Sequence, residues 1–213
     1  NVGSEALVMG LCHDSSLQRL DLSENGIDSV GAKAIASMVK TNDSIQELNL
    51  AFNSIGDEGA SEIASVLVHN TSVTFLSLKR NNISNHGAVA FATKLPKMRG
   101  LKELIMTKNA IDPHGAASLL DGLKNNMDLE YLHVEEKVSQ PILKEIVHWI
   151  RLNKAGRRIF RGRNIPITLW PYVLSRIKHD SDAIFHFLSQ KPDVIRPLDG
   201  AEALEDNQKP PSL

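Results

Sequence analysis

Residues 17–27 read LQRLDLSENGI, and the same pattern returns three times at a constant offset of 28 residues. The later copies read IQELNLAFNSI at 45–55, VTFLSLKRNNI at 73–83 and LKELIMTKNAI at 101–111. A fifth copy begins as LEYLHV at 129–134, but it has Lys137 where the other copies have asparagine. Self-similarity at a fixed period predicts an array of stacked structural repeats.

A second pattern recurs between these segments and indicates a helix in each repeat. Gly-Ala pairs stand at 31, 59, 87 and 115, and aliphatic residues follow them at helical spacing. We expect the small residues to let each helix approach the sheet closely. Good N-cap residues precede the pairs, at Asp28, Gly56, Ser84 and Asp112. We expect a left-handed conformation near the helix ends, at Asn42, Asn70 and Asn126.

One strand and one helix per repeat predict an α/β solenoid that bends. Parallel strands stack about 4.8 Å apart, whereas a helix with its side chains is about 10 Å wide. The array must therefore curve, with a parallel sheet on the concave side and helices on the convex side. We expect the asparagine of each segment to bond loop backbone groups that are buried away from water.

The pattern divides the chain into three parts. We expect repeats over 1–155, a helical C-terminal cap over 156–196 and a flexible tail over 197–213, where apolar residues are few. The stretch from Val2 to Leu7 matches that from Val30 to Ile35. We therefore expect the chain to start inside a repeat and to be an N-terminally truncated part of a longer chain.

Composition argues against several classes of partner. The formal net charge is −1, which gives no overall attraction to nucleic acid, and no apolar run is long enough for a membrane span. The single cysteine, Cys12, cannot form an internal disulfide, so nothing points to an oxidising compartment. We expect a protein partner, no nucleic acid, no membrane contact and an intracellular, cytoplasmic location.

Alternation along the strands predicts which side chains face outward on the concave side. If the leucines point inward, Phe75 and Tyr131 share one outward column and lie about 10 Å apart, with Ile105 on the neighbouring column. Aromatic residues ringed by polar groups are typical of binding hot spots. The candidate partner-binding residues are Phe52, Phe75, Lys79, Arg80, Ile105, Lys108, Tyr131 and His133.

No catalytic, cofactor or metal motif is recognisable. His86 and His114 occupy equivalent slots on neighbouring helices, about 10 Å apart, which is too far for one metal ion. The glycines recur with the repeat and form no phosphate-binding loop. We therefore expect no catalytic residues, no cofactor, no metal and no enzymatic activity.

The four LxxLxLxxNxI segments and their Gly-Ala helices resemble the ribonuclease-inhibitor-type leucine-rich repeats over about 150 residues. Similar repeats occur in NOD-like receptors, tropomodulins and Ran GTPase-activating proteins. The resemblance implies a right-handed horseshoe that binds proteins on its concave face, hence an interaction module or scaffold. Two alternatives stay open. One is a GTPase activator of the Ran type, in which Arg80 would be the functional arginine. The other is a structural subunit of a larger assembly.

Overall fold

The computed structural model describes residues 16–135, 138–157 and 181–190, together with Gly10, Tyr172 and Ser175. The strands are β1 (Arg19–Asp21), β2 (Glu47–Asn49), β3 (Phe75–Ser77), β4 (Glu103–Ile105) and β5 (Tyr131–His133). The helices are α1 (Ser29–Thr41), α2 (Gly56–Leu67), α3 (Asn85–Lys94), α4 (Pro113–Asn125), α5 (Gln140–Lys154) and α6 (Ser181–Gln190). A 3-10 turn (Leu95–Lys97) follows α3.

The strands form one parallel sheet in the order of the sequence, β1-β2-β3-β4-β5. The middle leucines are in register, with Leu20 beside Leu48, Leu48 beside Leu76 and Leu76 beside Leu104. Helices α1 to α4 each connect two parallel strands, and each packs against the helix of the next repeat. The predicted solenoid of stacked strand–helix repeats is therefore confirmed, and the register equals the sequence period.

The core lies between the sheet and the helices. Leu48, Leu76 and Leu104 are completely buried, and on the helix side so are Ile35 and Phe91. Burying one such side chain stabilises a fold by about 1.5–3 kcal/mol, so a single leucine layer contributes a large part of the net stability. No single repeat could bury these side chains by itself, which makes the stacking of neighbours a condition of folding.

The asparagine that closes each segment links adjacent repeats. The Asn53 Oδ1 atom accepts hydrogen bonds from the backbone N–H groups of Asn25 at 3.0 Å and Ile27 at 2.9 Å. Its Nδ2 atom donates to the carbonyl oxygens of Leu22 at 2.9 Å and Leu50 at 3.0 Å. The asparagine thus satisfies loop backbone groups of two repeats at once, as the repeat pattern predicts.

Three of the four predicted N-caps are confirmed. The side chains of Asp28, Ser84 and Asp112 accept hydrogen bonds from backbone N–H groups in the first turns of α1, α3 and α4. Gly56 was wrongly predicted as a cap. It is the first residue of α2, with a φ of +65°, and Ile55 before it offers no polar side chain.

The predicted left-handed asparagines at the helix ends are also wrong. Asn42 and Asn126 are extended, with φ values of −93° and −89°, and Asn70 is not among the described residues with positive φ. Their side chains do the capping instead. The Asn42 Oδ1 atom accepts from the N–H groups of Ser44 and Ile45, at 3.0 and 2.9 Å.

The last two helices carry the C-terminal end of the described structure. In α5, Ile146 and Ile150 are buried, whereas Val147 is 47% exposed. Helix α6 contacts α5, where His186 meets Trp149 edge to face with ring centroids 5.7 Å apart. Much of the predicted cap, the predicted tail and the stretch Val2 to Leu7 lie outside the described residues.

Candidate functional site

The outward side chains of the five strands form a surface that we call the strand face. One column contains Arg19, Glu47, Phe75, Glu103 and Tyr131 in register. The other contains Asp21, Asn49, Ser77, Ile105 and His133. In β2 the alternation is clear, because Leu48 is buried between the half-buried residues Glu47 and Asn49. The register confirms the predicted columns, but Ser77 in the second column is buried.

Charges on the strand face are largely paired between neighbouring repeats. On the strand face Arg19 Nε lies 3.1 Å from Glu47 Oε1, and just before β4 and β5, outside the two columns, Lys102 Nζ lies 3.2 Å from Glu130 Oε1. Asp21 accepts hydrogen bonds from the Ser23 side chain and backbone and from Asn49, and these bonds lower the pKa of the Asp21 carboxyl. Glu47 and Asp21 are therefore already engaged by neighbouring residues.

Tyr131 is an exposed ring that is held on two sides. It is 46% exposed, and its ring stacks on that of His133 with a centroid distance of 6.5 Å and an interplanar angle of 3°. Lys154 Nζ, from α5, lies 3.4 Å from the Tyr131 ring centroid. His133 in turn is 3.3 Å from Glu103. The Lys154 contact could not be predicted from the sequence, because it depends on where α5 packs.

Phe75 and Ile105 lie next to this ordered ring. Both are half-buried. Glu103 stands between Phe75 and Tyr131 in the same column, and Ile105 is beside His133 in the other. Strand spacing places the two aromatic residues about 10 Å apart. The structure thus brings Phe75, Ile105, Tyr131 and His133 together at the C-terminal half of the strand face.

The other four predicted residues lie where the strands end, on a surface that we call the exit rim: Phe52, Lys79, Arg80 and Lys108. Phe52, Arg80 and Lys108 occupy one slot of successive repeats and have left-handed backbone, with φ values of 58°, 53° and 59°. Lys79 Nζ and Arg80 Cζ each lie 5.5 Å from the Phe52 ring centroid. The exit rim is therefore an aromatic ring flanked by cations.

Backbone hydrogen bonds hold the exit rim in this uncommon conformation. The N–H of Phe52 donates to the carbonyl of Lys79 at 2.8 Å, and that of Arg80 donates to the carbonyl of Thr107 at 3.0 Å. A depression of about 570 Å³ lies between Glu24, Phe52 and Arg80. The sequence did not reveal the left-handed backbone, because neither phenylalanine nor arginine favours it.

A family profile described as leucine-rich repeat matches residues 13–36, 41–64 and 69–92, which lie within the first three repeats seen here. The chain therefore carries leucine-rich repeats. No curated relative matches the sequence of this leucine-rich-repeat protein significantly.

Solved structures share the fold of this leucine-rich-repeat protein. The C-terminal domain of tropomodulin from Caenorhabditis elegans superposes with a TM-score of 0.64 at 12% identity, over 74% of this chain and 97% of that one. Actin-binding site 2 of leiomodin-1 superposes with a TM-score of 0.62 at 18% identity, over 76% of this chain and 95% of that one. At these identities the likeness shows a common fold.

Other kinds of site find no support in the described part of this leucine-rich-repeat protein. No group of three histidine, cysteine or acidic side chains is placed there to hold a metal ion. None of the helices described combines the length and the apolar character that a membrane crossing requires.

Proposed function

We propose that the strand face binds a protein partner and that the chain works as a non-catalytic interaction module. The observation that carries the proposal is Tyr131, which is nearly half exposed while His133 and Lys154 hold its ring in place. An exposed aromatic side chain that is already ordered loses little conformational freedom on binding. Such residues often contribute about 2 kcal/mol or more to a protein interface.

The surroundings of Tyr131 fit the centre of an interface. Phe75 and Ile105 add apolar surface within two strands, and the paired charges of Arg19 with Glu47 and of Lys102 with Glu130 lie around them. A hydrophobic centre with a polar rim is the usual anatomy of protein interfaces. We propose Phe75, Ile105, Tyr131 and His133 as the central contacts, with Phe52, Lys79, Arg80 and Lys108 at the edge.

The test is recovery of partners from native extract with the wild-type chain and with Phe75→Ala/Tyr131→Ala, quantified by mass spectrometry. The matched control is Val30→Ala/Val89→Ala, which removes exposed apolar side chains from the helices. We expect at least one partner to be lost by the first variant, to be retained by the control, and to bind the purified wild-type chain directly. Equal recovery of every partner by both variants would contradict the proposal.

Actin is the first purified protein to test in this way. The leiomodin-1 structure with the same fold is described as an actin-binding site. Co-sedimentation with actin filaments and gel filtration with monomeric actin would show whether this partner extends to the present chain. The proposal of a protein-binding strand face does not depend on actin, since another partner could occupy the same surface.

We propose that the chain is not a GTPase activator, although Arg80 would be the residue for that activity. Its guanidinium lies over the Phe52 ring, an arrangement that serves binding without any nucleotide. We expect no acceleration of GTP hydrolysis when the chain is added to small GTPases.

We further propose an intracellular location, because a single cysteine indicates no disulfide framework. The size of the native complex tests the structural-subunit alternative.

A further inference from the structure

The cations of the exit rim differ from the other charges near the strands. Glu47, Glu103 and Glu130 each face a cationic or titratable partner on a neighbouring repeat. Lys79, Arg80 and Lys108, by contrast, form no ion pair with any residue in the described part of the chain. Three cations that form no ion pair with the described residues thus lie together on one short stretch of the surface.

The backbone arranges these cations in a row. Arg80 and Lys108 occupy the same slot of adjacent repeats, so they are spaced by about the 4.8 Å between parallel strands. Both have left-handed backbone and both are exposed, and the Arg80 guanidinium lies over the Phe52 ring. Two cations at this separation can contact carboxylates that lie close together on one ligand segment.

The same row defines the order of the chemical groups. Phe52 precedes Arg80, and Glu24 occupies the slot before Phe52. From the first repeat to the fourth the row is therefore acidic, aromatic, basic and basic. A complementary segment places an apolar side chain at Phe52 and carboxylates at Arg80 and Lys108, while Glu24 disfavours further acidic residues beyond the ring.

We propose that the exit rim docks an acidic, aromatic-containing segment of the protein partner. The proposal rests on the proposed function and specifies the partner's chemistry. A nucleic acid fits less well, because Glu24 adjoins the row and would repel a continuous phosphate backbone. An acidic segment needs only the few cations that the rim presents.

The experiment is fluorescence anisotropy of the full chain with three labelled probes. They are a short peptide of glutamates around one phenylalanine, the same peptide with lysines in place of glutamates, and an oligouridylate. We expect binding of the glutamate peptide alone, weakening as ionic strength rises because exposed charges are screened. Tighter binding of the oligouridylate, or failure of the glutamate peptide to bind, would overturn the proposal.

Variants locate the site. Arg80→Gln/Lys108→Gln should weaken binding of the glutamate peptide about tenfold, as the loss of two exposed ion pairs predicts. Lys33→Gln/Lys40→Gln removes two exposed lysines of α1 and should leave binding unchanged. Equal weakening by both pairs would contradict a rim site. If the glutamate peptide does not bind while Phe75→Ala/Tyr131→Ala still loses a partner, the exit-rim inference is wrong and the proposed function of the strand face stands.

Discussion

The carboxylate of Glu135 accepts a hydrogen bond from the backbone N–H of Asn109, with a distance of 2.6 Å between Oε1 and N. In the earlier repeats an asparagine side chain fills this place, as Asn109 does for the N–H of Asn81 at 2.8 Å. The fifth repeat has lysine in the asparagine slot, so a glutamate two residues earlier supplies the acceptor. The series of side-chain-to-backbone hydrogen bonds between adjacent repeats is therefore continued by a different residue.

Two replacements of Glu135 distinguish the role of its hydrogen-bond acceptor from the role of its negative charge. Glu135→Gln keeps a side-chain oxygen and should retain nearly all the stability, whereas Glu135→Ala should lose about 1 kcal/mol because the Asn109 N–H loses its partner. Urea denaturation measures both changes. An equal loss in the two variants would mean that charge, and not the hydrogen bond, is what matters.

Asn53 should be far more important for stability than Asn25. Asn53→Ala removes hydrogen bonds to backbone groups of two repeats and should cost about 3 kcal/mol, since the groups left behind are buried. Asn25 is exposed, and among the described residues its amide donates to the Ser23 carbonyl alone. Asn25→Ala should cost less than about 1 kcal/mol. Thermal unfolding measures both changes. Equal losses of unfolding free energy in Asn53→Ala and Asn25→Ala would contradict the role of Asn53 in linking the repeats.

Gly59 permits the close approach of adjacent helices. A Cβ atom there would lie 2.5 Å from Ile55 Cγ2 and 2.7 Å from Ala32 Cβ of the preceding helix. Gly59→Ala should therefore destabilise the chain by about 2 kcal/mol through overpacking. Gly26 has a φ of +62° and open space around it. Gly26→Asn should cost little, because Asn82 holds a similar φ of 57° in the third repeat. If Gly59→Ala and Gly26→Asn lowered the free energy of unfolding by comparable amounts, the packing explanation would be refuted.

Much of the fold followed from the sequence because its signals are local and periodic. The register of Leu20, Leu48 and Leu76 repeats the sequence offset, and the helix stripes follow from the Gly-Ala slots. Glu135 was missed because the expected slot was two residues away. The left-handed asparagines were wrongly predicted because Asn42 caps with its side chain, which leaves its backbone extended.

The candidate residues were predictable as a set but not as two surfaces. Alternation placed Phe75 and Tyr131 in one column, which the register confirms. The contact of Lys154 with Tyr131 and the stacking of Arg80 on Phe52 join residues from different repeats or helices. Such contacts depend on three-dimensional packing that no local pattern encodes.

The contact between α5 and α6 should weaken in mild acid. Burial, with Arg157 and His148 nearby, lowers the pKa of His186 below its ordinary value of 6.5. The folded state thus favours neutral His186, so its contribution is present above pH 6.5 and decreases as the pH falls toward the lowered pKa. Protection factors from hydrogen exchange over 181–190 should fall between about pH 7.5 and about pH 5.5.

A His186→Phe variant provides the control for this effect. It keeps an aromatic ring against Trp149 and removes the titrating group. We expect its protection factors over 181–190 to change little over the same pH range. A wild-type chain with pH-independent protection, or a variant with the same decrease, would show that His186 is not the responsible group.

Site-specific photocrosslinking tests most directly whether the strand face is the binding surface. The photoreactive residue p-benzoylphenylalanine is placed at position 131 in one chain and at position 30, on the opposite helix side, in another. The account predicts a crosslinked protein partner with Tyr131→p-benzoylphenylalanine and none with the Val30 variant. Adducts formed from position 30 and absent from position 131 would contradict it.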